Sequence, residues 1–535
     1  MANEPEPSRH KLREIFESQA VYADRWSAEV RAALDVPDGL TSRIVKALQD
    51  GQSVLISGNA GDGKSHLAQV ALDQVVPRRC IEVTKAHPIR EIPSADQIVF
   101  VRDASGLSDK EILSTVARAR AAGAPLLITI NEGPLASLAE HQDGDLFRVA
   151  RDILHARAIG MMQNDPPELL LVSLAGRQLT RSNFVPGVLE KLLPLVTACP
   201  SCGKSSSCPR VVGAKMLRRS RAARERLQLL LRLLTDGGTH LSARDIWVFL
   251  IDLFFGWVCP GDGEERSEGY FWNRIFDGES TTARRIRSNF DPVAVPLARE
   301  DVYLWRGRFT ELRMDCEYPG SAPVALARES SDAGLAAFAS AKRCYYFFGK
   351  AVQAEKMMAG QSRAPHFGRL LAASLNDQRP VIRDLVGYIN RYRLGLDTQN
   401  DLYVSRHNGF AAHRRPWGLG AYGKLPIERL EILVPYRYEN ETYGEGFFPT
   451  RVYLHWAGSQ QFLTVDFETW ERLQEKRTLT VDRDQETLDF ALDLFMAQAD
   501  IPAIDDPEVI VFDHRRREQT RLRVRASERV IEVLQ

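Results

Sequence analysis

The spacing of apolar positions along this chain changes several times, and each change marks an element. Val54 to Ser57 is an unbroken apolar run closed by a serine, the pattern of a short strand buried on both faces. From Lys64 to Gln74 the apolar residues Leu67, Val70 and Ala71 recur at helical spacing. Strand patterns then recur at 79–83, 96–105, 125–133 and 168–174, with helical patterns at 109–122 and 145–157. Strands divided by helices pair in parallel, because each crossover helix covers one face of the sheet. The expectation is an α/β core with a parallel sheet across 36–190. An N-terminal helical segment (1–35) precedes it, with Leu12, Ile15, Phe16, Val30 and Leu34 among its apolar positions.

Beyond residue 190 the texture changes twice. The stretch 210–256 is strongly helical, from "MLRRSRAARERLQLLLRLLTDGG" to "LSARDIWVFLIDLFFGW", and a second helical block covers 330–397. After residue 425 the segments "RLEILVPYRY", "RVYLHWA" and "QFLTVDF" alternate and are rich in β-branched and aromatic residues, which predicts a small α+β domain. The expected divisions are therefore a cysteine knuckle with a helical lid over 191–325, a helical region over 326–424 and an α+β domain over 425–535.

Between the first strand and its helix stands Gly58-x-x-x-x-Gly63-Lys64-Ser65, the P-loop spacing in its strand–loop–helix setting. Glycines at 58, 61 and 63 let the backbone turn its N–H groups onto a phosphate, and the helix starting near Lys64 adds its positive end. Lys64 would reach the β- and γ-phosphates and Ser65 would ligate Mg²⁺. The predicted nucleotide contacts are Gly58, Asn59, Ala60, Gly61, Asp62, Gly63, Lys64, Ser65 and His66. ATP is favoured over GTP, because no N-K-x-D guanine-reading motif appears.

Hydrolysis needs more: a carboxylate near the metal and an oriented water. The strand "IVFVRD" ends in Asp103, a Walker B-like position for Mg²⁺, although Ala104 follows where a second acid is usual. The strand "LLITIN" ends in Asn131-Glu132. Asn131 stands where many ATPases of the AAA+ class, which this stretch resembles, place a polar residue near the γ-phosphate, and Glu132 is the candidate for water activation. Arg244, at the start of the lid-like helix, would touch the phosphates. Arg177 and Arg181 would act within the chain or reach a neighbouring subunit.

Composition narrows the class. The 535 residues carry 70 Lys+Arg and 70 Asp+Glu, so any nucleic-acid contact must come from local patches. Two basic runs qualify, Lys204 to Arg232 and Arg515 to Arg525, with a solvated face as the plain alternative. No apolar run approaches a membrane span and the start is no secretory signal; a cytoplasmic protein is expected. Seven cysteines do not form a secreted disulfide framework. Cys199, Cys202 and Cys208 in "TACPSCGKSSSCPRVV" have a spacing suited to tetrahedral Zn²⁺, with Cys259 or His240 as the fourth ligand; a reduced, buried turn is the alternative. No nuclease set is recognisable, and "RHNGFAAHRRPWGLG" is too loose to be one.

Taken in order, "ISGNAGDGKSHL", the "INEG" strand end, "CPSCGKSSSCP" and "LSARDIWVFLIDLFFG" resemble the ATPase component of DNA phosphorothioation-dependent restriction systems (DptF), and more broadly AAA+ ATPases, including the large ATPases of BREX defence. The resemblance spans about 36–300, and "DPVAVPLAREDVYLW" and the helices after 330 fit more loosely. It implies an AAA+-like ATPase in a bacterial anti-phage module, acting on DNA with nuclease or helicase partners and able to form a homo-oligomer. A nucleotide-dependent signalling scaffold with little turnover is the rival expectation. A small-molecule kinase is disfavoured by the length and the helical lid.

Overall fold

The computed structural model describes residues 35–75, 79–85, 87, 93–197, 208–256, 267–394, 397–405, 417–444, 446–459, 461–475, 483–497, 508–513, 518–525 and 530–534. The helix expected over 8–34 lies outside them. The first described elements are α1 (Gly39–Gln49), β1 (Ser53–Ser57), α2 (Lys64–Gln74), β2 (Arg79–Val83), β3 (Gln97–Val101), α3 (Asp109–Ala121), β4 (Leu126–Ile130), α4 (Glu132–Ala139), α5 (Asp145–Ala158), β5 (Leu169–Ser173) and α6 (Phe184–Thr197). The five strands form one sheet in the order β2-β3-β4-β1-β5, and every pairing in it is parallel.

Alternate residues of these strands feed opposite layers. Leu55, Val99, Val101, Ile128 and Leu171 pack with α3, α4 and α5, whereas Val54, Ile56, Phe100, Leu127 and Val172 pack with α1 and α2. Both faces are thus covered, and the sequence of β4, Leu-Leu-Ile-Thr-Ile, is buried at every position. Local chemistry fixes the helix starts. Asp38 caps α1 by accepting from Leu40 N–H at 2.9 Å, and Ser108 with Glu111 forms a capping box on α3. The strand expected over 96–105 ends at Val101, because Asp103 accepts from Ser105 N–H and starts a 3₁₀ turn.

A helical layer follows: α7 (Pro209–Arg219), α8 (Arg221–Asp236), α9 (Ala243–Phe255), shorter helices at Phe271–Asp277 and Thr281–Asn289, and α10 (Ser331–Phe348). They share one large core with α6. At its centre Phe271 and Trp272 stand edge-on to Phe348, and the Trp272 and Asn273 side chains both donate to buried Ser340 Oγ.

The next helices, α11 (Ala364–Asn376) and α12 (Gln378–Leu394), pack with the strands that follow, and α11 also joins the helical layer through Ala364 and through Gly368 against Asp236. Strands β6 (Asp401–Ser405) and β7 (Trp417–Pro426) fall where only helix was expected. They are followed by β8 (Leu430–Leu433), α13 (Arg437–Tyr443), β9 (Val452–Trp456), β10 (Phe462–Val465), α14 (Phe467–Gln474), α15 (Arg483–Ala497), β11 (Glu508–Asp513), β12 (Glu518–Arg525) and β13 (Val530–Leu534). They make two antiparallel sheets, β10-β9-β8 and β13-β12-β11-β7-β6. The described residues are therefore α/β, a five-stranded parallel sheet joined to many helices and to antiparallel sheets of three and five strands.

Candidate functional site

The carboxyl ends of β1, β3 and β4 open onto a cleft of about 320 Å³, the position at which parallel α/β sheets hold ligands. Its floor is the 58–65 loop. Gly58, Gly61 and Gly63 take φ of +154°, +91° and +94°, and the last two lie in left-handed territory where a side chain is strained. Lys64, the first residue of α2, folds back across the loop and donates to Gly58 O at 3.0 Å and Asn59 O at 2.7 Å. Its ammonium group is held below its usual pKa by burial and the nearby Arg244, against the attraction of Asp62, Asp103 and Glu132. Four other predicted site residues, Asp62, Asp103, Glu132 and Arg244, thus act electrostatically on Lys64.

Most of the predicted site lines this cleft: Gly61, Asp62, Gly63, Lys64, Ser65 and His66 from the loop and α2, Asp103 after β3, Asn131 after β4, and Arg244 from α9. Asn131 donates to Ser105 Oγ at 3.0 Å, which ties the end of β4 to the turn after Asp103. Thr129 Oγ1 donates to Arg102 O in the same place. Glu132 differs. It is exposed at the first turn of α4 and is not part of the cleft wall, although its charge acts on Lys64.

Sequence reasoning overlooked the opposite wall. Asp35 and Asp38 come from the approach to α1, Phe184 from α6 and Trp247 from α9. Asp35 meets His66 Nε2 at 3.0 Å, and Asp38 pairs with Arg177 at 2.6 Å, placing Arg177 in the cleft of its own chain. Arg181 is engaged within its own chain: Asp236 accepts from its guanidinium, whose plane covers the Phe448 ring at 3.6 Å. These pairs join segments far apart in sequence, and no local motif marks them.

Cys199, Cys202 and Cys259 lie outside the described residues. Cys208 is buried at the start of α7. His240, one candidate for the fourth zinc ligand, is instead engaged by Asp62 at 2.8 Å. Among the described residues no cluster of three or more His, Cys, Asp or Glu side chains has a metal-holding arrangement.

The first basic run divides into two sets. Arg226 donates to the carbonyls of Tyr346 and Phe347 in the last turn of α10 and of Gly349 and Val352 beyond it. Arg224 bonds the last carbonyls of α7, and Arg232 pairs with Asp236. Lys215, Arg218, Arg219 and Arg221 remain exposed, with Arg221 paired to Glu225. In the second run, Arg521, Arg523 and Arg525 lie on β12, while Arg515, Arg516 and Arg517 are outside the described residues. His407 and His413 are outside them as well. Among the described residues no helix is long and apolar enough to cross a membrane. No protein-family model matches the chain, and the search of curated proteins finds no match either.

Proposed function

We propose that this protein binds ATP with Mg²⁺ in the cleft at the 58–65 loop and hydrolyses it, as an AAA+-like P-loop ATPase. The observation that carries the reading is convergence: Lys64, Ser65, Asp103, Asn131 and Arg244 come from four segments and line one cleft beside a glycine loop. The residues fit the group. A Cβ on Gly58 would stand 3.0 Å from Leu174 Cβ and Asp62 Oδ2, and one on Gly61 2.9 Å from Ser242 Oγ, so the loop keeps its shape only with glycine. Ser65 and Asp103 would hold Mg²⁺, which when bound neutralises charge on the phosphates. Lys64 would leave the carbonyls of Gly58 and Asn59 for the phosphates, and Arg244 would bring a second positive charge from the lid helix α9. Asn131 would orient the attacking water or the γ-phosphate, and Glu132 would accept the water's proton.

The position of Glu132 outside the cleft wall favours a second reading, a nucleotide-dependent switch with little turnover. The setting we propose for either is a bacterial DNA restriction or anti-phage module of the phosphorothioation-dependent type, on the sequence resemblance alone. DNA is then engaged mainly by partner nuclease or helicase components, with exposed Lys215, Arg218, Arg219 and Arg221 offering a salt-sensitive phosphate contact. Zn²⁺ at Cys199, Cys202 and Cys208 belongs to the same resemblance.

The test is nucleotide binding and phosphate release by the purified full chain. Lys64→Ala is expected to lose both, and Glu132→Gln to keep binding while turnover falls by about a hundredfold or more, the scale of general-base removal. Full ATPase activity in Lys64→Ala would reject the cleft. Normal turnover in Glu132→Gln would move the base to another residue, and negligible turnover in the wild type would favour the switch.

A further inference from the structure

The loop that carries Lys64 also carries a buried acid. Asp62 is only 7% exposed, and its two carboxylate oxygens serve different segments. Oδ2 accepts the Asn59 N–H at 2.7 Å and closes the loop's own turn. Oδ1 meets Nε2 of His240 at 2.8 Å. His240 stands between α8 and α9, two residues before Ser242, which caps α9 with Asp245.

Two further contacts seat the start of α9 on the loop. Arg244 N–H donates to Gly61 O at 3.2 Å. The space where Gly61 would carry a side chain is filled by Ser242 Oγ and Cβ. The fit of the lid on the loop is therefore steric at Gly61, hydrogen-bonded at Gly61 O and ionic at Asp62.

An acid in a phosphate loop poses an electrostatic problem, because a fixed negative charge a few ångströms from a polyphosphate opposes its binding. An imidazolium on Asp62 removes that opposition. The charged groups facing His240 are Asp62 from the loop and Asp245 from α9, which both favour its protonated form; burial opposes it, and the net shift is upward. Asp62 and Arg244 both act on Lys64, the acid favouring its charged form and the arginine opposing it.

We propose that Asp62 and His240 form a latch, a pair of positioning residues that holds the first turn of α9, and Arg244 with it, over the phosphate loop while nucleotide is bound. The latch rests on the ATP reading above and adds to it the control of nucleotide exchange. Closed and protonated, it neutralises Asp62 and keeps Arg244 beside Lys64. With His240 neutral, Asp62 keeps its charge without the imidazolium partner, α9 loses its ionic tether and nucleotide leaves faster. A bound polyanion favours the protonated imidazole, so affinity is greatest below the His240 titration range and falls as pH rises through it.

The experiment measures release of a fluorescent ADP analogue from the full chain between about pH 6 and 8.5, the range in which a histidine titrates. Wild-type release is expected to quicken by about tenfold across that range, the size of an ordinary coupling between two sites. His240→Gln keeps a hydrogen-bond donor but no charge, and is expected to release at the fast rate at every pH. Asp62→Asn removes the charge from the other side and is expected to flatten the profile too. Parallel pH profiles in the wild type and His240→Gln, or in the wild type and Asp62→Asn, would overturn the latch. A wild type that binds no analogue, or a Lys64→Ala variant that binds it normally, would overturn the ATP reading instead.

Discussion

Glu439→Gln measures what one buried acid does to the grip of the C-terminal region on the parallel sheet. Glu439 lies in α13 and is completely buried, and neither of its carboxylate oxygens has a hydrogen-bond partner. The nearest cation, Arg157 Nη1, is 3.6 Å from Oε1, too far for a hydrogen bond. Arg157 is already committed: it donates to Gln163 O at 2.7 and 2.9 Å and to Asp165 at 2.7 Å, and it stacks on Tyr438 at 3.8 Å. Burial therefore dominates, and Arg157 offsets only part of it; the Glu439 carboxyl is pushed from 4.5 up to about 7. Between those values the folded chain holds a proton that the unfolded chain has lost. Stability then falls as pH rises from about 4.5 to about 7 and is level above that. A shift of about 2.5 units corresponds to about 3 kcal/mol at 1.36 kcal/mol per unit.

Glutamine has the same shape and no charge, so this loss should vanish in the variant. A chain of several units does not unfold in one step, and the appropriate readout is local: amide hydrogen exchange in peptides covering Arg437–Tyr443, compared with wild type at the same pH so that intrinsic rates cancel. Near pH 5 the two proteins should be protected alike. At pH 8 the variant should be more protected, by up to about a hundredfold, the equivalent of roughly 3 kcal/mol. An equal ratio at both pH values would refute the reasoning and show that Arg157 keeps Glu439 ionised throughout.

Two further substitutions test other parts of the structure. Gly61→Ala places a methyl group 2.9 Å from Ser242 Oγ at φ +91°, a strain of about 1–2 kcal/mol. Calorimetric nucleotide titration should show affinity weakened by about tenfold, and wild-type affinity would mean that the loop does not meet the ligand. Arg226→Ala leaves four carbonyls at and beyond the end of α10 without this donor and should lower the temperature at which the helical layer melts, each lost charged hydrogen bond being worth about 1.5–3 kcal/mol. An unchanged melting profile with weakened DNA binding would assign Arg226 to a nucleic-acid face instead.

What could be read from the sequence was local. The helical spacing of α2 and the start of the Leu-Leu-Ile-Thr-Ile run of β4 fall within a residue of where they stand, because burial on both faces marks every position of the run; the strand ends at Ile130, three residues before the expected 133, since α4 begins at Glu132. Helix α4 escaped notice because Glu132-Gly133-Pro134 reads as a turn; Pro134 is tolerated there since the first turn of a helix lacks an internal acceptor for its missing N–H. Strand β7, "WGLGAYGKLP", looks like loop by composition and is a strand through its pairing with β6 and with β11, far along the chain. The same limit applies to the site. Loop glycines, Lys64 and Ser65 announce themselves by spacing, but Asp38 with Arg177 and Asp62 with His240 are pairings made only when distant segments meet.

Those distant pairings decide how the cleft is joined to the rest of the molecule. Arg177 lines the cleft, and the residues around it are held by the segment after β8. Gln178 N–H donates to Gly446 O at 2.6 Å and its amide to Pro449 O at 3.1 Å. Phe448 N–H returns a bond to Gly176 O at 3.3 Å. Gly176 leaves no slack, since a Cβ there would stand 2.3 Å from the ring of Tyr436. Four residues on, Arg181 is fixed between Phe448 and Asp236 of α8. The strap 175–182 therefore touches the cleft at Arg177, the C-terminal region at Gly446–Pro449 and the helical layer at Asp236. A ligand that drew Arg177 away from Asp38 would move a segment bonded on both sides to other parts of the fold. Close packing makes such a segment shift as a unit more readily than bend. By that geometry the occupancy of the cleft would reach the helical layer and the C-terminal sheets together.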